Sequence, residues 1–194
     1  MSDERDLGRR AGLPEDLRGL VLRHPRAGWT GHVNLGTTAR FWLERHADLR
    51  AIETEISGGI ADFREGRVEA DPFARFLVPR LRHFLGDLDG HHRVEDGHYF
   101  PVFAEAEPSL ASGFDLMEGD HEVIHARIEA VIETANAMLA ALPAGGDALR
   151  FAADNYAAAQ LALGAGLARH LDDEEDLIIP LILERGERDL GIGF

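Results

Sequence analysis

His91-His92-Arg93-Val94-Glu95-Asp96-Gly97-His98-Tyr99-Phe100-Pro101 is the stretch that decides how this chain reads, because its pattern occurs twice. It lines up with His170-Leu171-Asp172-Asp173-Glu174-Glu175-Asp176-Leu177-Ile178-Ile179-Pro180. In each copy a Glu follows the His by four residues and a Pro follows it by ten. Upstream of each copy another His sits in an apolar, helical pattern: His46 lies 45 residues before His91, and His121 lies 49 before His170. The repeat reads as a duplicated helix pair, giving four helices that each aim at least one His at a common centre. A buried metal site is the function that such a centre implies.

Working outward, the apolar periodicity gives four long helices. The first runs from about Asn34 to Ser57, with Ala39, Trp42, His46, Leu49 and Ile56 on one stripe and Gly58-Gly59 as its stop. The second starts at Asp71-Pro72, read as N-cap and first helical residue, and runs towards Val102 with a bend or break expected at Pro79. The third spans roughly Phe114 to Leu142, with Met117, His121, Ile124, Ile128, Val131, Ala135 and Met138 in register. After the short connection Pro143 to Gly146, the fourth runs from Asp147 to about Glu184. Its stripe holds Tyr156, Leu163, Leu167, His170, Glu174, Leu177 and Leu181, and a bend is expected near Pro180. No stretch alternates as a strand does. Long amphipathic helices joined by short loops specify an all-α fold, an antiparallel up-down-up-down four-helix bundle with a short N-terminal extension. The expected division is residues 1–30 as an extension packing on the bundle, 31–186 as the bundle and 187–194 as a C-terminal tail.

Composition narrows the function further. A 194-residue chain that is 45% hydrophobic and 28% charged fits one well-filled globular domain. Its formal net charge of −15 opposes binding to nucleic acid or to an anionic membrane surface. The absence of cysteine removes disulfides, iron–sulfur clusters and thiolate zinc sites. No signal peptide and no run of about 18 apolar residues is visible, so the expected location is the cytoplasm.

Residues four apart on a helix lie nearly one above the other, so His91/Glu95, His121/His125 and His170/Glu174 can each present two donors together. Burying several imidazoles and two carboxylates in an apolar core without partners is costly, and coordination of a cation removes that cost. Donors of N and O type, rich in imidazole, suit Fe, Zn, Ni or Cu rather than Mg or Ca.

These residues resemble the hemerythrin family in its bacterial, HHE cation-binding form, over residues 34 to 184. The family pattern is a His on the first helix, His-x3-Glu on the second, His-x3-His on the third, and His with a carboxylate four or five residues later on the fourth. Here those positions are His46; His91 and Glu95; His121 and His125; and His170 with Glu174. The resemblance implies two Fe ions bridged by Glu95, Glu174 and an oxo or hydroxo group. His46 and His91 would hold one iron, and His121, His125 and His170 the other. Twelve coordination positions, less five for His, four for bridging carboxylates and two for the oxo bridge, leave one open on the iron of His46 and His91. A small diatomic ligand (O2 or NO) or a peroxide would bind there, for sensing, storage or detoxification.

Some assignments have competitors. Glu175 also satisfies the fourth-helix spacing, and the internal match to Glu95 favours Glu174. His92 with Asp96 is the neighbouring register, rotated by about 100°, and ranks second. His125 has Arg50 at its counterpart position in the first half and is the weakest of the set. Zinc and manganese remain compatible with the same donors. Two other functions compete: a ferroxidase- or peroxidase-type di-iron enzyme, and a metal-stabilised regulatory module without turnover. A ferritin-like site would need Glu-x-x-His on two helices, and the fourth helix has Leu167 where that Glu would stand.

Overall fold

Apolar residues recurring at steps of three and four make helices here over most of the chain. A computed structural model describes residues 3–193, and among them the regular structure is helical, with no strand. The elements are α1 (Gly19–Arg23), α2 (Thr37–Arg64), α3 (Ala70–Val94), a π-helical turn (Glu95–Tyr99), α4 (Phe100–Ala106), α5 (Ala111–Ala141) and α6 (Gly146–Arg185). Short 3-10 turns occupy Asp3–Arg5, Glu15–Leu17, Arg26–Gly28 and Pro108–Leu110. No helix among the described residues is long and apolar enough to cross a membrane.

Helices α2 and α3 differ from the sequence expectation at three places, each for a local reason. Helix α2 does not stop at Gly58-Gly59 but continues to Arg64, and Gly66, at φ 72°, makes the turn after it. Gly59 serves close packing instead: a Cβ there would lie 2.2 Å from the Phe76 ring. Helix α3 begins at Ala70, so Asp71 sits in its first turn rather than capping it. It also continues through Pro79, which lies on the exposed face with Arg75, whose carbonyl loses its partner to the missing N–H.

The irregularity in this helix falls later, at Glu95–Tyr99, where the Phe100 N–H bonds the Glu95 carbonyl five residues back. Pro101 follows at once. A proline ring clashes with the carbonyl four residues earlier, here that of Gly97, and a widened turn just before it relieves that crowding. The matching copy does not do this, because α6 runs through Pro180 as an α-helix to Arg185.

The chain divides into two units whose boundaries fall inside unbroken helices. One comprises residues up to Ala47, His92–His121 and Ala168 onward; the other comprises Asp48–His91 and Glu122–Leu167. The first is built around Trp42, Phe100, Phe103, Phe114, Met117 and the apolar run Leu177–Leu183. The segment before α2 belongs to that core, with Leu13, Leu17, Leu20 and Trp29 buried in it. Burial of each such side chain contributes about 1.5–3 kcal/mol. The segment after α6 caps α2: Glu187 accepts the Ala39 N–H at 2.8 Å, and Thr38 donates its hydroxyl to the Ile192 carbonyl at 2.9 Å.

The second unit carries buried stripes with helical spacing: Leu49, Ile56 and Ile60; Phe73, Leu77, Leu81, Phe84 and Leu88; Ile124, Ile128, Val131, Ala135 and Met138; and Ala153, Tyr156, Leu163 and Leu167. Glu53 joins a small polar cluster there, accepting from Ser57 at 2.6 Å and from Gln160 at 3.4 Å. Gly164 leaves the space that its carboxylate fills.

The two adjacent glycines of α2 make opposite predictions. Nothing lies within 4 Å of a Cβ at Gly58, so Gly58→Ala should stabilise the fold by up to about 1 kcal/mol through helix propensity. Gly59→Ala should give no gain or a net loss, because displacing Phe76 costs about 1–3 kcal/mol. Denaturant unfolding of the two variants checks the order, and equal stabilisation by both would contradict it.

Candidate metal centre

Two groups of side chains could hold a cation. His46, His91, Glu95 and Glu174 each offer a ligand atom, and these atoms lie within 4.8 Å of one another. His92, Glu95, His121 and His170 do the same. Glu95 belongs to both groups. Six of the seven residues singled out in the sequence are therefore brought together: His46, His91, Glu95, His121, His170 and Glu174. His125 is in neither group. It stands one turn further along α5, about 6 Å of rise beyond His121, with its side chain 40% exposed and its Nδ1 3.9 Å from Asp89.

His92, of the neighbouring helix register, stands in the second group beside Glu95, His121 and His170. It is fully buried, its ring stacks on His121 with centroids 3.9 Å apart, and it meets His170 edge-on at 5.6 Å. Helix geometry explains why one register does not exclude the other. Glu95 is four residues from His91 and three from His92, so the two imidazoles flank it at about 40° on one side and about 60° on the other. Adjacent histidines can then serve different groups while Glu95 stands between them. The 100° between His91 and His92 separates them from each other, not from the centre.

Three of the imidazoles are fixed through Nδ1 by a carboxylate. His46 Nδ1 pairs with Glu175 at 3.1 Å, His121 Nδ1 with Asp96 at 2.7 Å, and His170 Nδ1 with Asp120 at 3.3 Å. Their Nε2 atoms face inward. His46 Nε2 is 3.7 Å from Glu174, His121 Nε2 is 3.6 Å from Glu95, and His170 Nε2 is 3.2 Å from Glu174. The Nε2 atoms of His121 and His170 are 3.1 Å apart. A carboxylate on Nδ1 selects the tautomer that leaves Nε2 as the donor to a cation.

This also separates Glu174 from Glu175. Glu174 faces both His46 and His170 and accepts the Trp42 indole N–H at 2.7 Å. Glu175 turns away to hold the back of His46. Asp96, Asp120 and Glu175 were not distinguished as imidazole holders by periodicity. The one available signal is that each stands next to a donor of the centre in sequence (Glu95, His121 and Glu174). Tyr99 packs edge-on against Trp42 at 4.8 Å and stacks on Phe103, as a core aromatic does.

The electrostatics match a place for positive charge. Burial, together with neighbouring Glu174 and Asp96, pushes the Glu95 carboxyl well above the usual carboxylate range. Burial alone would lower the His170 imidazole, but hydrogen bonds to Asp120 and Glu174 outweigh it and raise it to about 9. In the metal-free chain both groups therefore favour their protonated forms more than free side chains do. The donor set fits a borderline metal such as iron or zinc: imidazole nitrogens and carboxylate oxygens, with no sulfur.

The comparisons agree with this geometry. Searches among curated proteins and among solved structures give no match. The family described as hemerythrin HHE cation binding domain matches residues 37–182, which span the start of α2 to near the end of α6 and include every residue of both donor groups. The chain belongs to the hemerythrin HHE cation-binding family.

Proposed function

We propose that this chain is a non-haem di-iron protein that takes O2, NO or a peroxide at one open iron position, for sensing, storage or detoxification. The reading is supported above all by Glu95 standing between two groups of imidazoles. In it, α2, α3, α5 and α6 form an up-down-up-down bundle, and Glu95 and Glu174 would be the carboxylates shared by the two ions. His46 and His91 would hold one ion, while His92, His121 and His170 would hold the other. Replacing His125 by His92 leaves the count of donors unchanged, so one position stays open on the ion with two imidazoles.

Iron supplies redox capacity and a coordination position for a small ligand. The protein supplies the rest. Burial keeps bulk water from competing, the Nδ1 carboxylates hold three imidazoles in one tautomer, and Trp42 orients Glu174. An oxidase or peroxidase at the same centre is the alternative. Adding O2 to the anaerobic ferrous protein separates the two. A charge-transfer band that disappears on deoxygenation supports reversible binding, and irreversible conversion to the diferric form supports turnover.

The site assignment predicts metal content directly. His91→Ala, Glu95→Ala and His92→Ala should each lower the iron bound per chain, whereas His125→Ala should leave it near the wild-type value. Elemental analysis of the purified variants tests this, and loss of iron in His125→Ala with retention in His92→Ala would reverse the assignment.

The proton occupancy predicts the pH dependence. Both His170 and Glu95 are raised in the folded, metal-free state, so a cation must expel protons to bind. Apparent affinity should climb by about tenfold per pH unit as pH rises towards about 9, for the His170 proton released, and level off above it. Stability of the metal-free chain should move the opposite way. A folded-state pKa raised from 6.5 to about 9 gives stability that is complete below pH 6.5 and is lost as pH rises through 9. Thermal unfolding of metal-free and loaded protein across this window should therefore diverge, and parallel curves would count against it.

A further inference from the structure

The segment before α2 lies outside the family match, yet two of its arginines reach the backs of two different donor groups. Arg10 grips Asp120 with both terminal nitrogens, one of them at 2.7 Å, and donates Nε to Asp173 at 2.6 Å. Asp120 in turn holds Nδ1 of His170. Arg26 donates to Glu175 at 2.6 Å, to Asp176 at 2.7 Å and to the Asp172 carbonyl at 2.7 Å. Glu175 in turn holds Nδ1 of His46. The same three-part relay of arginine, carboxylate and imidazole thus occurs twice, ending once in each group.

We infer that Arg10 and Arg26 are positioning residues for the metal centre, each setting how firmly one of the two ions is held. The physical argument concerns the carboxylate in the middle. A buried carboxylate with no cation beside it is costly to keep in place and swings towards water, releasing the imidazole it was holding. A guanidinium fixes it in charge and in direction, because its planar fork matches the two oxygens.

The two relays differ in strength. The Arg10 side chain is 1% exposed and its partners are equally buried, whereas Arg26 is 43% exposed. Water can substitute in part for Arg26 but not for Arg10. The backbone strengthens the first relay, since Arg169 bonds both Asp173 and the carbonyl of Ala11. The N-terminal segment is in this sense part of the metal centre.

The inference rests on the two-ion reading above, and the test keeps the two separable. Full-length chain is loaded anaerobically with Fe(II), and release to a chromogenic ferrous chelator is followed in wild type, Arg10→Lys, Arg26→Ala and the double variant. Wild type should release two ions per chain in resolvable phases; a single ion would overturn the two-ion reading itself. Arg10→Lys keeps a charge beside Asp120 but loses the fork, which protects the fold where removal of the charge would strand two buried carboxylates.

It should speed one phase by about 10–100-fold, and Arg26→Ala should speed the other, by less. The double variant should speed both. Acceleration of the same phase by both variants, of both phases together, or of neither would overturn the inference. A second readout needs no metal. In the metal-free protein the hydrogen-bonded Nδ1 proton of His170 should broaden in Arg10→Lys, and that of His46 in Arg26→Ala. A proton signal unchanged in its own variant contradicts the relay whatever the metal content.

Discussion

Two buried carboxylates that face each other among imidazoles are the constraint on which the rest depends. Glu95 and Glu174 are both about 1% exposed or less, and Glu95 belongs to both groups of donors. Charges so placed are tolerated in a folded chain only when protons or a cation offset them. The raised Glu95 carboxyl and the raised His170 imidazole are the proton solution, and a bound cation is the other. Folding and metal uptake are therefore linked through the same few atoms.

The surrounding structure holds those atoms still. Asp96, Asp120 and Glu175 each fix one imidazole, Trp42 fixes Glu174, and arginines from the segment before α2 fix two of the three carboxylates. The π-helical turn belongs to the same arrangement. It starts at Glu95 itself, and it lets Phe100, which stacks on His121, and Phe103 follow from a helix that Pro101 would otherwise crowd. The two copies of the sequence pattern both lie on helices, and this turn makes them inequivalent.

Much of this was legible from residue spacing. The helical stripes placed His46, His121, His170 and Glu174 inward, and all four are buried. The repeat pointed to Glu174 over Glu175, and the two residues do face different ways. What periodicity could not resolve was a choice between neighbours. Periodicity ranks His92 behind His91 because their side chains point about 100° apart on the helix. A glutamate with a histidine three and four residues before it serves two donor groups. His125 shares a face with His121, but periodicity says nothing about depth along the axis, and one turn was enough to bring it towards solvent. The glycine pair in α2 misled in a similar way, since a residue without a side chain can mark a close contact as readily as a helix end. Arg10 and Arg26 had no signal at all, because contacts across more than 100 residues leave no trace in local pattern.

The most direct test of the central claim is anomalous X-ray scattering at the iron edge from crystals of the loaded protein. The account predicts two iron peaks about 3.5–4 Å apart on either side of Glu95, one beside His46 and His91 and the other beside His92, His121 and His170. A single peak, or a second peak beside His125 with His92 turned away, would contradict it.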